Sequence, residues 1–188
     1  LVETVLSSLH RDRVAREIAR AFHSATQAKS FATRSSVSSP EEVFIAALLS
    51  RIGQIAFWCF AGKFGEKLEN ALKTSVREEE AEIEVLGFKL ERLTLELSRE
   101  WKLSELLDTV FQHKKVTNSS AQCIRLGYSI AQAAEKGWQS AEIVDKVSRV
   151  CDFLKIPENE AVQIMHDSAR IAAEITETYG AKSSSRLI

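Results

Sequence analysis

Four histidines, three cysteines and one polar pair inside an apolar run are the residues of this 188-residue chain best suited to chemistry. Imidazole and carboxylate together can hold divalent ions, which activate water and neutralise phosphate. The only His-Asp dipeptide, His166-Asp167 in "IMHDSARIAAE", offers both ligand types side by side. At helical spacing, however, Asp167 shares a face with Gln163, Arg170 and Glu174, which reads as ordinary surface. His10 reads as a similar surface or boundary residue. His23, in "ARAFHSATQ", is expected to be a core histidine hydrogen-bonded to a neighbour. His113 belongs to "QHKK", basic groups at a helix C-terminus where the dipole favours cations.

The polar pair is Ser50-Arg51, in the middle of "FIAALLSRIGQIAF". Arginine does not give up its proton in a protein, so Arg51 would repel a metal ion. An unpaired buried charge is too costly to persist. Arg51 is therefore expected to be met inside the protein by a carboxylate or by carbonyls, or to reach solvent along its stem. Cys59, Cys123 and Cys151 are far apart, odd in number and flanked by apolar residues, with no CxxC pair. They are expected to be free thiols buried in helices, as in a reducing cytoplasm.

Helices must position these groups. Two prolines and seven glycines leave little punctuation, and apolar spacing of three and four dominates. The expected fold is all-α, a compact multi-helix bundle around a buried central helix over about 40–60. Its start signal is Ser39 as N-cap, Pro40 at the first helical position and Glu42 completing a capping box. Other helices are expected over 11–33 (Val14, Ile18, Ala21, Phe22 and Ala25 facing the core), 66–73, and one long acidic-fronted segment ending near Trp101. Four more fit 103–114, 119–136, 140–154 and 158–179, the last with the stripe Ala161, Met165, Ser168, Ala172, Ile175 and Tyr179. Trp58, Trp101 and Trp138 are expected in or beside the core.

Lysine and arginine number 25 against 26 acids, a balance that argues against an electrostatic nucleic-acid binder. The longest unbroken apolar runs, "VFIAALL" and "IAFWCFA", fall well short of the ~20 residues of a membrane span. The opening is not that of a signal peptide. Leu1 in place of methionine suggests a domain of a longer polypeptide.

Five segments in order resemble the HDOD domain, the HD-related output domain of bacterial signalling proteins. They are "AFHSATQAKSFA", "EEVFIAALLSRIGQIAF", "EIEVLGFKLERLTLELSREWKLSELL", "TVFQHKK" and "CIRLGYSIAQAA". The resemblance covers about residues 21–180, with 1–20 a poorly matching N-terminal helical segment and 181–188 a frayed tail. It implies an HD-domain-like bundle related to metal-dependent phosphohydrolases. Those enzymes hold metal through a histidine, a His-Asp pair and a later aspartate. In this chain His23 matches the first histidine, and Ser50 and Arg51 occupy the His-Asp pair. Leu90 stands where a further histidine is common, His113 matches the first of two neighbouring histidines, Lys114 replaces the second, and Tyr128 takes the late aspartate position. The resemblance thus implies a lost metal site with no cofactor. The expected function is a non-enzymatic signal-transduction module acting through protein partners or fused domains. The alternative is a sensor binding a nucleotide or other anion through Arg51, His113 and Lys114. A residual phosphohydrolase ranks last.

Overall fold

The computed structural model describes residues 8–75, 77–103, 105–111 and 118–178, and they form an all-α bundle. The position at its centre belongs to α1 (Ser8–Arg34), against which α2 (Pro40–Leu49), α3 (Ile52–Phe60), α8 (Ser119–Ala134) and α10 (Glu158–Thr178) all pack. Small residues make this possible. Ala21, Ala25, Ala28 and Ser24 of α1 are almost wholly buried. A side chain at Gly127 of α8 would lie only 2.5 Å from the Ser24 carbonyl oxygen, so glycine sets how closely α8 crosses α1.

The helix expected over 40–60 is two helices. Ser50 closes α2, its N–H reaching the carbonyls of Ala46 and Ala47, and Arg51 (φ −103°, ψ 7°) stands at the head of α3. The turn aims Arg51 inward, towards α1. Pro40 opens α2 as expected, but the Ser39 hydroxyl makes no cap bond and the capping box does not form. Taken together, Pro40–Phe60 is long and apolar enough by length and composition to cross a membrane, which the shorter unbroken runs did not suggest; 44% of an 18-residue apolar stretch within it is buried inside the bundle.

Beyond Gly62, α4 (Lys63–Thr74) begins earlier than expected. The long acidic-fronted helix also divides, into α5 (Glu78–Leu86) and α6 (Leu90–Trp101). Gly87 adopts φ +78° at the end of α5, a left-handed conformation that glycine enters without steric cost. Glu82 then reaches over the turn and accepts the Leu90 N–H at 2.8 Å, capping α6 with a side chain from α5. The chain continues through α7 (Glu105–Phe111), α8, α9 (Ala141–Leu154) and α10. The end of the helix expected over 103–114 and Tyr179 lie outside the described residues.

Two hydrophobic clusters result. The larger joins Ala25, Phe31, Val43, Ile124, Ile130, Val150 and Met165 across α1, α2, α8, α9 and α10. The smaller joins Trp58, Leu68, Ala81 and Leu90, with Val14 of α1 packed against it. Trp58 is buried and Trp138 half-buried, but Trp101 is 55% exposed, because α6 ends there and the chain turns through Lys102 at φ 53°. His10 is buried against Trp58, not at the surface. Cys123 is buried, whereas Cys59 and Cys151 are only half-buried, so the expectation of three buried thiols holds for one.

Burial pushes the Cys123 thiol up to about 11, and Cys59 is also raised by burial. A thiol reagent applied to the native protein should modify Cys59 and Cys151 well before Cys123, and the order should vanish in denaturant. Site-resolved mass spectrometry checks it; early labelling of Cys123 would contradict the packing described.

Candidate functional site

Between the two clusters runs a layer of charge. On α1, Arg13, Glu17, Arg20 and Ser24 follow one another at spacings of four, three and four, which puts them on one stripe. That stripe is buried, Glu17 to 3% and Arg20 to 5% exposure, while Val14, Ile18 and Phe22 beside it are only half-buried. The polar residues are thus deeper in the fold than the apolar ones that betray the helix.

Arg51 sits in the middle of this layer at 2% exposure. Its Nε and Nη2 both donate to Glu17 Oε2, the former at 3.0 Å, and its Nη1 donates to the Tyr128 hydroxyl at 3.0 Å. The guanidinium carbon also lies 5.4 Å from the centre of the Tyr128 ring. One turn along α1, Arg20 donates to both Glu135 oxygens at 2.6 and 2.5 Å and to both Glu78 oxygens at 3.0 Å. Arg13 donates to Glu69 at 2.5 Å.

These pairings fix the charge states. Burial opposes ionisation of Glu17, but Arg51 and Arg20 outweigh it and hold its carboxyl below the usual range. Burial would likewise discharge Arg51, and Glu17 more than offsets this. Burial holds the Tyr128 phenol above its ordinary value although Arg51 pulls the other way, so it stays protonated at neutral pH. Glu82 differs. Burial raises its carboxyl to about 7, against the Leu90 hydrogen bond and with help from Glu78. Its folded form therefore holds its proton more tightly than the unfolded chain does, and this group's contribution to stability declines as pH rises from about 4.5 to about 7.

A cleft of about 390 Å³ opens over this layer, with Arg51, Gln54, Glu78, Glu82 and Tyr128 in its wall. A second of about 180 Å³ adjoins it, between Ser50, Gln54, Phe111 and Tyr128. Of the six positions singled out as a former metal site, Ser50, Arg51 and Tyr128 come together here. Leu90 is nearby but in the smaller core, with its N–H engaged by Glu82. His113 and Lys114 lie outside the described residues.

His23 is not in this group. Six residues beyond Glu17, it is turned about 240° around the helix and faces α10 instead. Gln27 Nε2 donates to the Met165 carbonyl at 2.7 Å and lies 3.1 Å from His23 Nε2. Both amide hydrogens are then donors, so His23 Nε2 accepts and its proton sits on Nδ1. Burial lowers its pKa to about 4, in keeping with an imidazole that has no room for a second proton. The expectation of a hydrogen-bonded core histidine is met, and Glu17 is the α1 residue that faces Arg51. Sequence reading missed Glu17, Arg20, Glu78, Glu82 and Glu135; the spacing of Arg13, Glu17 and Arg20 was the available signal. The remaining His-Asp dipeptide is at the surface as expected: Asp167 bonds Gln163 at 3.1 Å, and His166 stacks on Trp138 at 4.2 Å. Among the described residues no group of three or more His, Cys, Asp or Glu is arranged to hold a metal ion.

The bundle has a known counterpart. The crystal structure named "Putative phosphohydrolase" from Shewanella amazonensis SB2B matches with a TM-score of 0.66 at 17% identity, over 87% of this chain and 63% of that one. At that identity the likeness is one of fold alone, and this chain spans under two thirds of its neighbour's length. No curated protein matches the sequence at a significant level. The sequence itself goes further: the HDOD domain model matches residues 4–116, and the chain belongs to the HDOD family. It is a signalling-associated HD-like module. The matched range takes in α1 and ends before α8, so the assignment of Tyr128 rests on the resemblance of "CIRLGYSIAQAA" alone.

Two expectations follow. Arg51→Ala leaves the Glu17 carboxylate buried and unmatched, and should lower the unfolding free energy by about 3–5 kcal/mol in urea titration. Replacing both partners with apolar residues, Arg51→Met with Glu17→Leu, should restore most of the loss. For His23, the unfolded state binds a proton below about 6.5 that the folded state refuses until about 4. Wild type should thus lose up to about 3 kcal/mol between these limits relative to His23→Gln, measured by denaturation across a pH series.

Proposed function

We propose that this chain is a non-catalytic regulatory module that works through protein contacts and has lost the metal site of its superfamily. The observation that carries the reading is Arg51. A permanent cation stands where the resemblance puts the metal-binding pair, and its charge is met by Glu17 and Tyr128.

The donors around it do not fit a divalent ion. Ser50 Oγ donates to the Ala47 carbonyl at 2.6 Å, Leu90 has no donor atom, and Tyr128 keeps its proton. Glu17 and Glu78 are committed to guanidinium groups. A metal in this position would have to displace a buried arginine from its carboxylate. The anion-sensor reading draws little support from the same cleft. Arg51 is already paired, and its wall holds Glu78, Glu79, Glu82, Glu91, Glu135 and Glu142 against Arg51, Arg77, Lys89 and Lys136.

Elemental analysis of the purified chain should find no stoichiometric iron, manganese or zinc. Phosphodiesterase and nucleotidase assays with added divalent metal should stay at background. One metal ion per chain with turnover that disappears in Glu17→Gln would overturn the proposal.

A further inference from the structure

The surface opposite in character to the charged cleft is apolar. Phe60, at the end of α3, is 86% exposed, and Phe64 of α4 is 55% exposed. Both rings, with Phe88, form the rim of a groove of about 460 Å³ between the α3–α4 and α5–α6 elbows, floored by Ala56, Phe57, Leu86, Leu93 and Leu97. Phe88 at 38% and Trp101 at 55% exposure extend the patch along α6. Nothing in the fold of the monomer requires a phenyl ring to project into water next to an apolar groove that can hold one.

We propose that this face is the interface of a homodimer, with Phe60 of each copy seated in the groove of the other. Three features favour a second copy over another occupant. First, the patch carries both a projecting ring and a receiving groove, with Phe60 standing on the rim of the groove itself. A two-fold axis between them makes both contacts at once, as an isologous interface requires. Second, the charges beside ring and groove are opposite. Exposed Lys63 and Lys67 lie on α4 next to the rings, with Lys67 Nζ 5.7 Å from the Phe64 ring centre, whereas exposed Glu96 and Glu100 lie on α6 next to the groove. Arg99 of α6 is drawn towards Glu96 and Asp108, at 3.7 and 3.5 Å. Insertion of Phe60 brings the lysines of one copy against the glutamates of the other. Third, the area suffices. At about 200 Å² per aromatic side chain, the exposed parts of the four rings come to roughly 900 Å² for a pair, before the leucines and the polar rim are added. A specific interface needs about 1,000 Å². The inference does not depend on whether the cleft is catalytic.

Sedimentation of the 188-residue chain over a concentration series tests it. Wild type is expected to be dimeric in the micromolar range. Phe60→Asp, at a position too exposed to matter for folding, is expected to raise the dissociation constant by about a hundredfold or more with an unchanged circular dichroism spectrum. Lys67→Glu should weaken the dimer, and Glu100→Lys added to it should restore part of the loss. A wild type that stays monomeric into the hundreds of micromolar overturns the proposal and leaves the groove to a different partner. So does a dimer that Phe60→Asp leaves intact.

Discussion

The ion pair between Arg51 and Glu17 is the contact on which the rest of the arrangement turns. Both groups are almost fully removed from water, where neither charge is tolerable alone. Their pairing ties α1 to the break between α2 and α3, and Tyr128 adds α8 to the same point. Arg20 then extends the layer to Glu78 and Glu135, so that four separate parts of the chain meet around two guanidinium groups. Planar, multi-donor guanidinium suits this task better than an ammonium group would, since each face and edge can serve a different partner.

This layer divides the hydrophobic interior in two. Val14 of α1 belongs to the smaller cluster and Ala25 to the larger, with Glu17 and Arg20 between them. Burying charge in this way contributes less stability than apolar packing of the same volume would. Its consequence is geometric. The Glu17 and Tyr128 positions admit Arg51 in one orientation only, and the α2–α3 turn follows from that orientation. On the proposed reading, the same commitment closes the region to metal chemistry, because carboxylates that neutralise arginine are not available as ligands. Loss of catalysis and gain of a rigid core are, on the proposed reading, one substitution seen from two sides.

Much of this was legible in advance. The helical class, the core setting of His23 and the surface setting of Asp167 were expected. For Arg51 the structure selects a carboxylate partner from the carboxylate, carbonyl and solvent alternatives that the cost of buried charge left open. What was misjudged falls into two groups. Helix breaks at Ser50-Arg51 and at Gly87 lie inside long apolar or amphipathic runs, where local pattern favours continuation and only packing decides otherwise. Exposure was misjudged at Trp101 and His10 because residue type predicts burial on average, while a helix end or a neighbouring glycine decides it at a given position.

The sequence by itself determined that the chain is helical and that Arg51, once buried, needs an internal partner. These are local facts about spacing and side-chain chemistry. Only the tertiary structure decided that the partner is Glu17, thirty-four residues away, and that His23 faces elsewhere. Partner choice depends on which faces of α1, α3 and α8 meet, and Gly127 with the alanines of α1 sets how closely α8 crosses α1. A stripe of Arg13, Glu17 and Arg20 looks like a solvated helix face on paper. It becomes a buried layer because other helices bring arginine and glutamate to it, which no local pattern records.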